Sequence, residues 1–365
     1  MRVVIAPDSF KGSLDAVRVA AALARGWRSV RADDEIVMTP MADGGEGTAA
    51  IVASVVDGSR WIESGPVTGP DGRAVDGRWL ALPDGVAVVE LAISSGLPLM
   101  ARPDPLAATT RGLGETLRAA VESGARRLVV ALGGSASTDG GAGALRALGM
   151  RVRDDAGANV PEGGIGLLSA TSVDASEMTL PPEGGVDILV DVDNPLCGPR
   201  GAAAVFGPQK GADAAHIELL DRALANWARL LGGDPLAAGG GAAGGAAYGL
   251  AAGWRGRLAP GARYVADLVG LDAALAGADL VITGEGAFDP TSLGGKACGE
   301  VLRRRASTPA RAAIVAGAVT MAPAGVDSVS LTELAGDRAA AIRDADHWLG
   351  EAGAVLARRE QSSTR

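Results

Sequence analysis

Both ends of this chain repeat one grammar: a short apolar run, a loop that combines glycine with an acid or a lysine, then apolar residues at helical spacing. "RVVIA" leads into "PDSFKGS", and from Ser13 the positions Val17, Ala20, Ala21, Ala24 and Trp27 recur at the helix period. "EIVMTP" then passes through "MADGGEGT" into the helical stretch "AAIVASVV". Near the far end, "ADLVIT" runs into "GEGAFDPTSLGGK", a helix, "AAIVAG", "DSVSL" and a long terminal helix. Strands alternating with helices predict a parallel α/β sheet. The middle breaks the pattern: "RWLAL-PDG-VAVVEL" reads as a hairpin, and "RVRDDAGANV" as a second, shorter one. At 365 residues the chain exceeds what one core usually organises. The expected organisation is a parallel α/β domain from residues 1–60 plus 270–365, with a mixed α/β domain, 61–269, inserted between its halves.

Bulk composition excludes several classes of partner. A net charge of −9 argues against a nucleic-acid or anionic-membrane surface. Residues 235–254 carry no charge over twenty positions, but seven are glycine, which predicts a glycine-rich loop opening a helix rather than a membrane span. Two cysteines, Cys197 and Cys298, are too few for a disulfide framework, and with no signal peptide at the start they fit a reducing cytoplasm. Fifty-four glycines exceed what turns alone require and predict loops where backbone approaches something closely.

Lysine usage is the sharpest chemical signal. Of 34 basic residues only three are lysine: Lys11 in "SFKGS", Lys210 in "PQKGA" and Lys296 in "GGKA", each beside a glycine in a stretch that reads as loop. A compact ammonium fits between phosphate oxygens where a planar guanidinium does not. The three lysines are therefore expected to contact phosphates, helped by glycine-loop amides. Ser135, Ser137, Thr138 and Asp139 in "GGSASTDGG" occupy a strand-to-helix loop suited to phosphate, although ordinary turn chemistry, an Asx-turn at Asp139 included, uses the same letters. Gly284 and Glu285 lie in the loop that leads to Lys296.

Asp191 and Asp193 in "LVDVDNPL" end an apolar run, and their spacing places both on one face, which suits Mg²⁺ binding or general-base work; capping of the next loop is the alternative. Asp43 and Glu46 in "ADGGEGT" offer a second acidic pair, or a helix cap. Named motifs fail. "GGK" lacks the first glycine and the hydroxyl residue of a Walker A loop, no dinucleotide fingerprint follows the first strand, and only His216 and His347 are present. His216 is expected in the first turn of an amphipathic helix.

Taken in order, "IAPDSFKGS", "ADGGEGT", "GGSASTDGGAG", "DVDNPL", "FGPQKGA" and "ITGEGAFD…GK" resemble the class II glycerate kinases of bacteria over nearly the whole chain. The resemblance implies a flavodoxin-like α/β domain with a second α/β domain inserted. It implies phosphorylation of D-glycerate with ATP and Mg²⁺, favouring 2-phosphoglycerate over 3-phosphoglycerate. The tail after "IVAGAV" is shorter and different, and Thr291 stands where the family often has glutamine. On this reading Lys11, Lys210 and Lys296 hold phosphates, and Asp191 is the metal ligand or base with Asp193 assisting. Asp43 competes for the base. Ser94, Ser95 and Arg111 are candidates for the substrate carboxylate. Domain closure would exclude water from the transfer. A homo-oligomer is compatible with all of this. The rivals are a kinase of a related hydroxy-acid, a non-catalytic hydroxy-acid sensor, and a dehydrogenase disfavoured by the missing fingerprint.

Overall fold

The computed structural model describes residues 1–363. In chain order the strands are β1 (Arg2–Ile5), β2 (Glu35–Met38), β3 (Arg60–Thr68), β4 (Ala74–Ala81), β5 (Val86–Glu90), β6 (Arg127–Ala131) and β7 (Arg151–Arg153). They continue with β8 (Ser172–Asp174), β9 (Val186–Val190), β10 (Arg257–Pro260), β11 (Leu280–Phe288), β12 (Arg311–Val319) and β13 (Asp327–Ser330). The chain divides into two compact units. Unit 1 comprises Met1–Asp43, Ala50–Asp57 and Gly261–Arg365; unit 2 comprises Gly44–Ala49 and Gly58–Pro260.

Unit 1 holds one five-stranded, all-parallel sheet in the order β13-β12-β11-β1-β2. Counted by appearance within the unit, that is 5-4-3-1-2, the flavodoxin-like order with its switch point between β1 and β11. The sequence explains the sheet. Val3, Val4 and Ile5 are fully buried, as a strand covered on both faces requires, and each contributes about 1.5–3 kcal/mol of burial. The helix Ala16–Arg28 starts where the Asp15 carboxylate accepts from the Arg18 N–H. It buries Val19, Leu23 and Trp27 beneath the sheet and ends on Arg25 and Arg28, which suit the negative end of the helix dipole.

Unit 2 is a mixed α/β unit. Its main sheet runs β10-β9-β6-β5-β4-β3, parallel from β10 to β5 and antiparallel through β4 and β3. The β4–β5 pair is the predicted first hairpin. "RVRDDAGANV" does turn back on itself, through an antiparallel bridge between Arg153 and Asn159 and the bonds Asp154 N–H to the Ala158 carbonyl and Val160 N–H to the Val152 carbonyl, but the ladder partner of β7 is β8, 19 or more residues on. The Asp154 carboxylate accepts from the N–H groups of Ala156 and Ala158 and tightens that turn. The 235–254 stretch folds as a glycine loop followed by the helix Ala246–Trp254. No helix among the described residues is long and apolar enough to cross a membrane.

Candidate active site

In unit 1 a cavity of about 310 Å³ opens at the carboxyl ends of β1, β11 and β12, beside the switch point. Backbone pairing carries the chain past β1 to its wall: the Ala6 N–H donates to the Ile282 carbonyl and the Asp8 N–H to the Gly284 carbonyl, both at 2.8 Å. Asp8 and Lys11 line the cavity from this loop, Asp43 from the loop after β2, and Glu285 from β11. Lys296 lines it from the N-cap of the helix Ala297–Arg305. The glycine beside each lysine has a mechanical reason. Gly12, Gly295 and Gly211 all adopt left-handed backbone, with φ of 83°, 88° and 89°, which residues with a Cβ rarely reach.

Asp8 is the most perturbed acid in this cavity. Burial pushes its carboxyl up to about 7, the nearby Asp43 and Glu285 charges push the same way, and the Ser9 N–H (2.6 Å) and Lys11 oppose them. Oε1 of Glu285 is buried without a hydrogen-bond partner. Burial and the Glu285 charge also hold the thiol of Cys298 well above its usual range.

The Asp8 shift makes a prediction about stability. From about pH 4 to 7 the folded chain retains a proton on Asp8 that the unfolded chain has released, so stability falls as pH rises through that window and stays lowered above it. Asp8→Asn removes the penalty while keeping an acceptor for Ser9. At pH 8 the variant should be more stable by about 1–3 kcal/mol, below the roughly 4 kcal/mol that three pKa units represent. The gain should vanish near pH 4. Urea titrations at pH 4.5, 6 and 8 measure it, and a gain that ignores pH would refute the assignment.

In unit 2 the strand register aligns Glu90 with Ala131 and Ala131 with Leu189, so the carboxyl ends of β5, β6 and β9 share one sheet edge. Glu90 is buried there and accepts from the Ala49 N–H at 2.6 Å; burial raises it to about 7. The Ser135–Asp139 loop follows β6. Asp191 and Asp193 follow β9, and both are exposed.

Lys210 differs from the sequence expectation of a loop cation. It ends the short helix Pro208–Lys210, is 1% exposed, and donates to Ser135 Oγ (2.8 Å) and to the Ser137 carbonyl. Burial lowers its ammonium to about 7, against the pull of Asp139. Asp139 is fully buried and accepts from Thr110 N–H and Oγ1 (both 2.8 Å) and from the N–H groups of Gly141 and Gly143 (both 3.1 Å). Its bond to Gly141 is the Asx-turn alternative, and with four donors satisfied this carboxylate holds the loop rather than a ligand. Ser137 Oγ and Thr138 Oγ1 are buried without a hydrogen-bond partner. Of the substrate candidates, Ser95 Oγ accepts from the Leu113 N–H at 3.2 Å, and Arg111 lies 3.4 Å from Glu162. Ser94 is buried, with its hydroxyl unpartnered.

Residues 3–361 match the Glycerate kinase family. This chain belongs to that family. A glycerate kinase of Bacillus subtilis (strain 168) is 41% identical over 305 residues, 81% of this chain and 79% of the relative. A glycerate 2-kinase of Escherichia coli (strain K12) is 39% identical over 314 residues, 81% of this chain and 80% of the relative. A crystal structure from Salmonella typhimurium LT2, provisionally named glycerate kinase 2, superposes with a TM-score of 0.84 at 37% identity, covering 100% of this chain and 99% of that one. The protein is thus an enzyme of the kinase class with the flavodoxin-like fold that the loops imply.

For this glycerate kinase family member, Mg²⁺ is tested by the donors present. No group of three or more His, Cys, Asp or Glu among the described residues is arranged to hold a metal. Mg²⁺ usually takes one or two protein carboxylates and completes its shell with phosphate oxygens and water. Glu285, with an unpartnered Oε1, and Asp43 both line the unit 1 cavity and are carboxylates of the kind such a shell uses. Sequence reasoning passed over Asp8, Glu90 and Arg338. Asp8 stands inside the loop that carries Lys11, and an acid ending an apolar run was the available signal for Glu90. Arg338, which also lines the cavity, carries no local signal among 31 arginines.

Proposed function

We propose that this enzyme transfers the terminal phosphoryl of ATP to D-glycerate in a Mg²⁺-dependent reaction, with 2-phosphoglycerate as the product. The observation that supports it most is the unit 1 cavity. It sets two lysines, one at a helix N-cap, against three carboxylates at the switch point of a parallel sheet. Phosphoryl transfer asks for positioning and charge cancellation more than covalent help. Lys11 and Lys296 hold phosphate oxygens as compact cations, and their glycine-shaped turns fix where those cations stand. Glu285 and Asp43 would hold Mg²⁺, which would supply charge neutralisation for the phosphates. Asp191 takes the proton from the acceptor hydroxyl, with Asp193 beside it in sequence; Asp43 is the alternative base. Lys210 and Asp139 act indirectly, by holding the Ser135–Asp139 loop in shape.

The test is ADP release from Mg-ATP with D-glycerate, tartronate or a hexose as acceptor, followed by phosphorus NMR of the product. D-glycerate should be required and hexoses inert, with the phosphorus signal coupled to the C2 proton. Glycerate binding without nucleotide turnover under any divalent metal establishes the sensor reading instead. Turnover with tartronate alone reassigns the acceptor to a related hydroxy-acid.

A further inference from the structure

The unit 1 cavity has a second wall that the phosphate chemistry does not use. It is built by the helices Leu331–Ala335 and Arg338–Arg343, which follow β13, and it presents Leu331, Arg338, Ala341 and Ile342. Leu331 and Ala341 are buried, whereas Ile342 remains 49% exposed although it lines the cavity. Phe10, buried in the Lys11 loop, adds a further apolar side chain to the lining. The cavity therefore joins a charged portion, with Lys11, Lys296, Asp8, Asp43 and Glu285, to an apolar portion with one guanidinium.

A three-carbon acid uses only half of that chemistry. Every heavy atom of glycerate is a hydroxyl or carboxylate oxygen or a carbon bearing one, so it has nothing to set against Leu331, Ala341 and Ile342. A volume of about 310 Å³ falls at the small end of the roughly 300–1,000 Å³ range for cofactor-sized ligands. A nucleoside triphosphate matches both portions: an apolar, flat base against the aliphatic wall and polyanionic phosphates against the lysines. In an open parallel sheet the crevice at the switch point is also where a nucleotide is expected.

We infer that unit 1 binds the purine nucleoside triphosphate, that Ile342 covers the base, and that Arg338 is a binding residue for the nucleotide phosphates. This rests on the phosphotransfer reading above. The guanidinium of Arg338 offers a donor fork that fits phosphate oxygens in pairs, a task distinct from the point contacts of the lysines. It stands at the first position of its helix, where Asp337 accepts from the Ala340 N–H and fixes the turn.

The experiment is isothermal titration of the purified full chain with Mg²⁺ and a non-hydrolysable ATP analogue, and separately with D-glycerate. It is run on wild type, Arg338→Ala and Ile342→Glu. Both positions are exposed, so both variants should keep the wild-type melting temperature. Each variant should bind the analogue at least 10-fold more weakly and D-glycerate with unchanged affinity. Unchanged analogue affinity in both variants overturns the inference. So does a selective loss of D-glycerate affinity, which would make this the acceptor's site. If the analogue behaves as expected but wild type phosphorylates no glycerate, the nucleotide site stands and the acceptor assignment alone fails.

Discussion

Asp191→Asn lowers kcat by roughly 10²–10⁴ if this carboxylate takes the acceptor proton. The substitution keeps size and removes charge. Asp191 is exposed beyond the end of β9, so the change in folding stability should stay within about 0.5 kcal/mol. Steady-state kinetics at saturating D-glycerate and Mg-ATP, with melting curves alongside, measure both quantities. Recovery of rate at high Mg²⁺ identifies a metal ligand, the other role the sequence suggests for Asp191 with Asp193. An unchanged kcat moves the base to Asp43, and Asp43→Asn should then show a loss that high Mg²⁺ does not restore. Asp139 is not expected to share that role. It is fully buried and holds four donors, so its replacement should appear first as lost stability.

The strands were legible because buried parallel strands write themselves as unbroken apolar runs: "RVVIA" and "AAIVAG" needed no tertiary information. The glycine count correctly announced close backbone approach but not its target. At Gly244, φ +66°, an added Cβ would lie 2.0 Å from the Ser137 carbonyl, so Gly244 and Gly245 pack onto the Ser137–Gly140 loop, while Gly239 and Gly241 approach residues 190–195. The first partner is about a hundred residues away, beyond the reach of local pattern. Asp8 was illegible for the same reason. Its perturbation comes first from burial and then from the Asp43 and Glu285 charges, and only the adjacency of β2, β1 and β11 supplies them. The borders of the inserted segment, read at 61 and 269, compare with a main division at Gly58 and Pro260. Loop residues there carry no periodic signal from which a border could be read.

Lys11→Arg and Lys296→Arg should each lose on the order of 10²-fold in kcat/KM, about 2.7 kcal/mol of transition-state stabilisation, with little change in melting temperature. The charge is conserved, so a surface cation would show no effect: exposed pairs contribute little, and 31 arginines already serve this chain. A phosphate contact beside a left-handed glycine should suffer, because the broader guanidinium cannot take the ammonium's place between oxygens. The sequence groups Lys210 with Lys11 and Lys296; burial separates it from them. Lys210 is enclosed and tied to Ser135 and Ser137, so arginine there overfills a packed site at a cost of about 1–3 kcal/mol. Its variant should lose stability, and lose activity only as far as the Ser135–Asp139 loop shifts. Lys210→Met separates the two effects. It conserves approximate volume and deletes the ammonium, which frees the Ser137 carbonyl and Ser135 hydroxyl inside the fold. If Lys210 were instead a phosphate contact, Lys210→Met would raise the KM for ATP at unchanged melting temperature. Fully active, equally stable arginine variants at Lys11 and Lys296 would remove the lysines from phosphate binding, leaving Arg338 and the glycine-loop amides to hold the nucleotide.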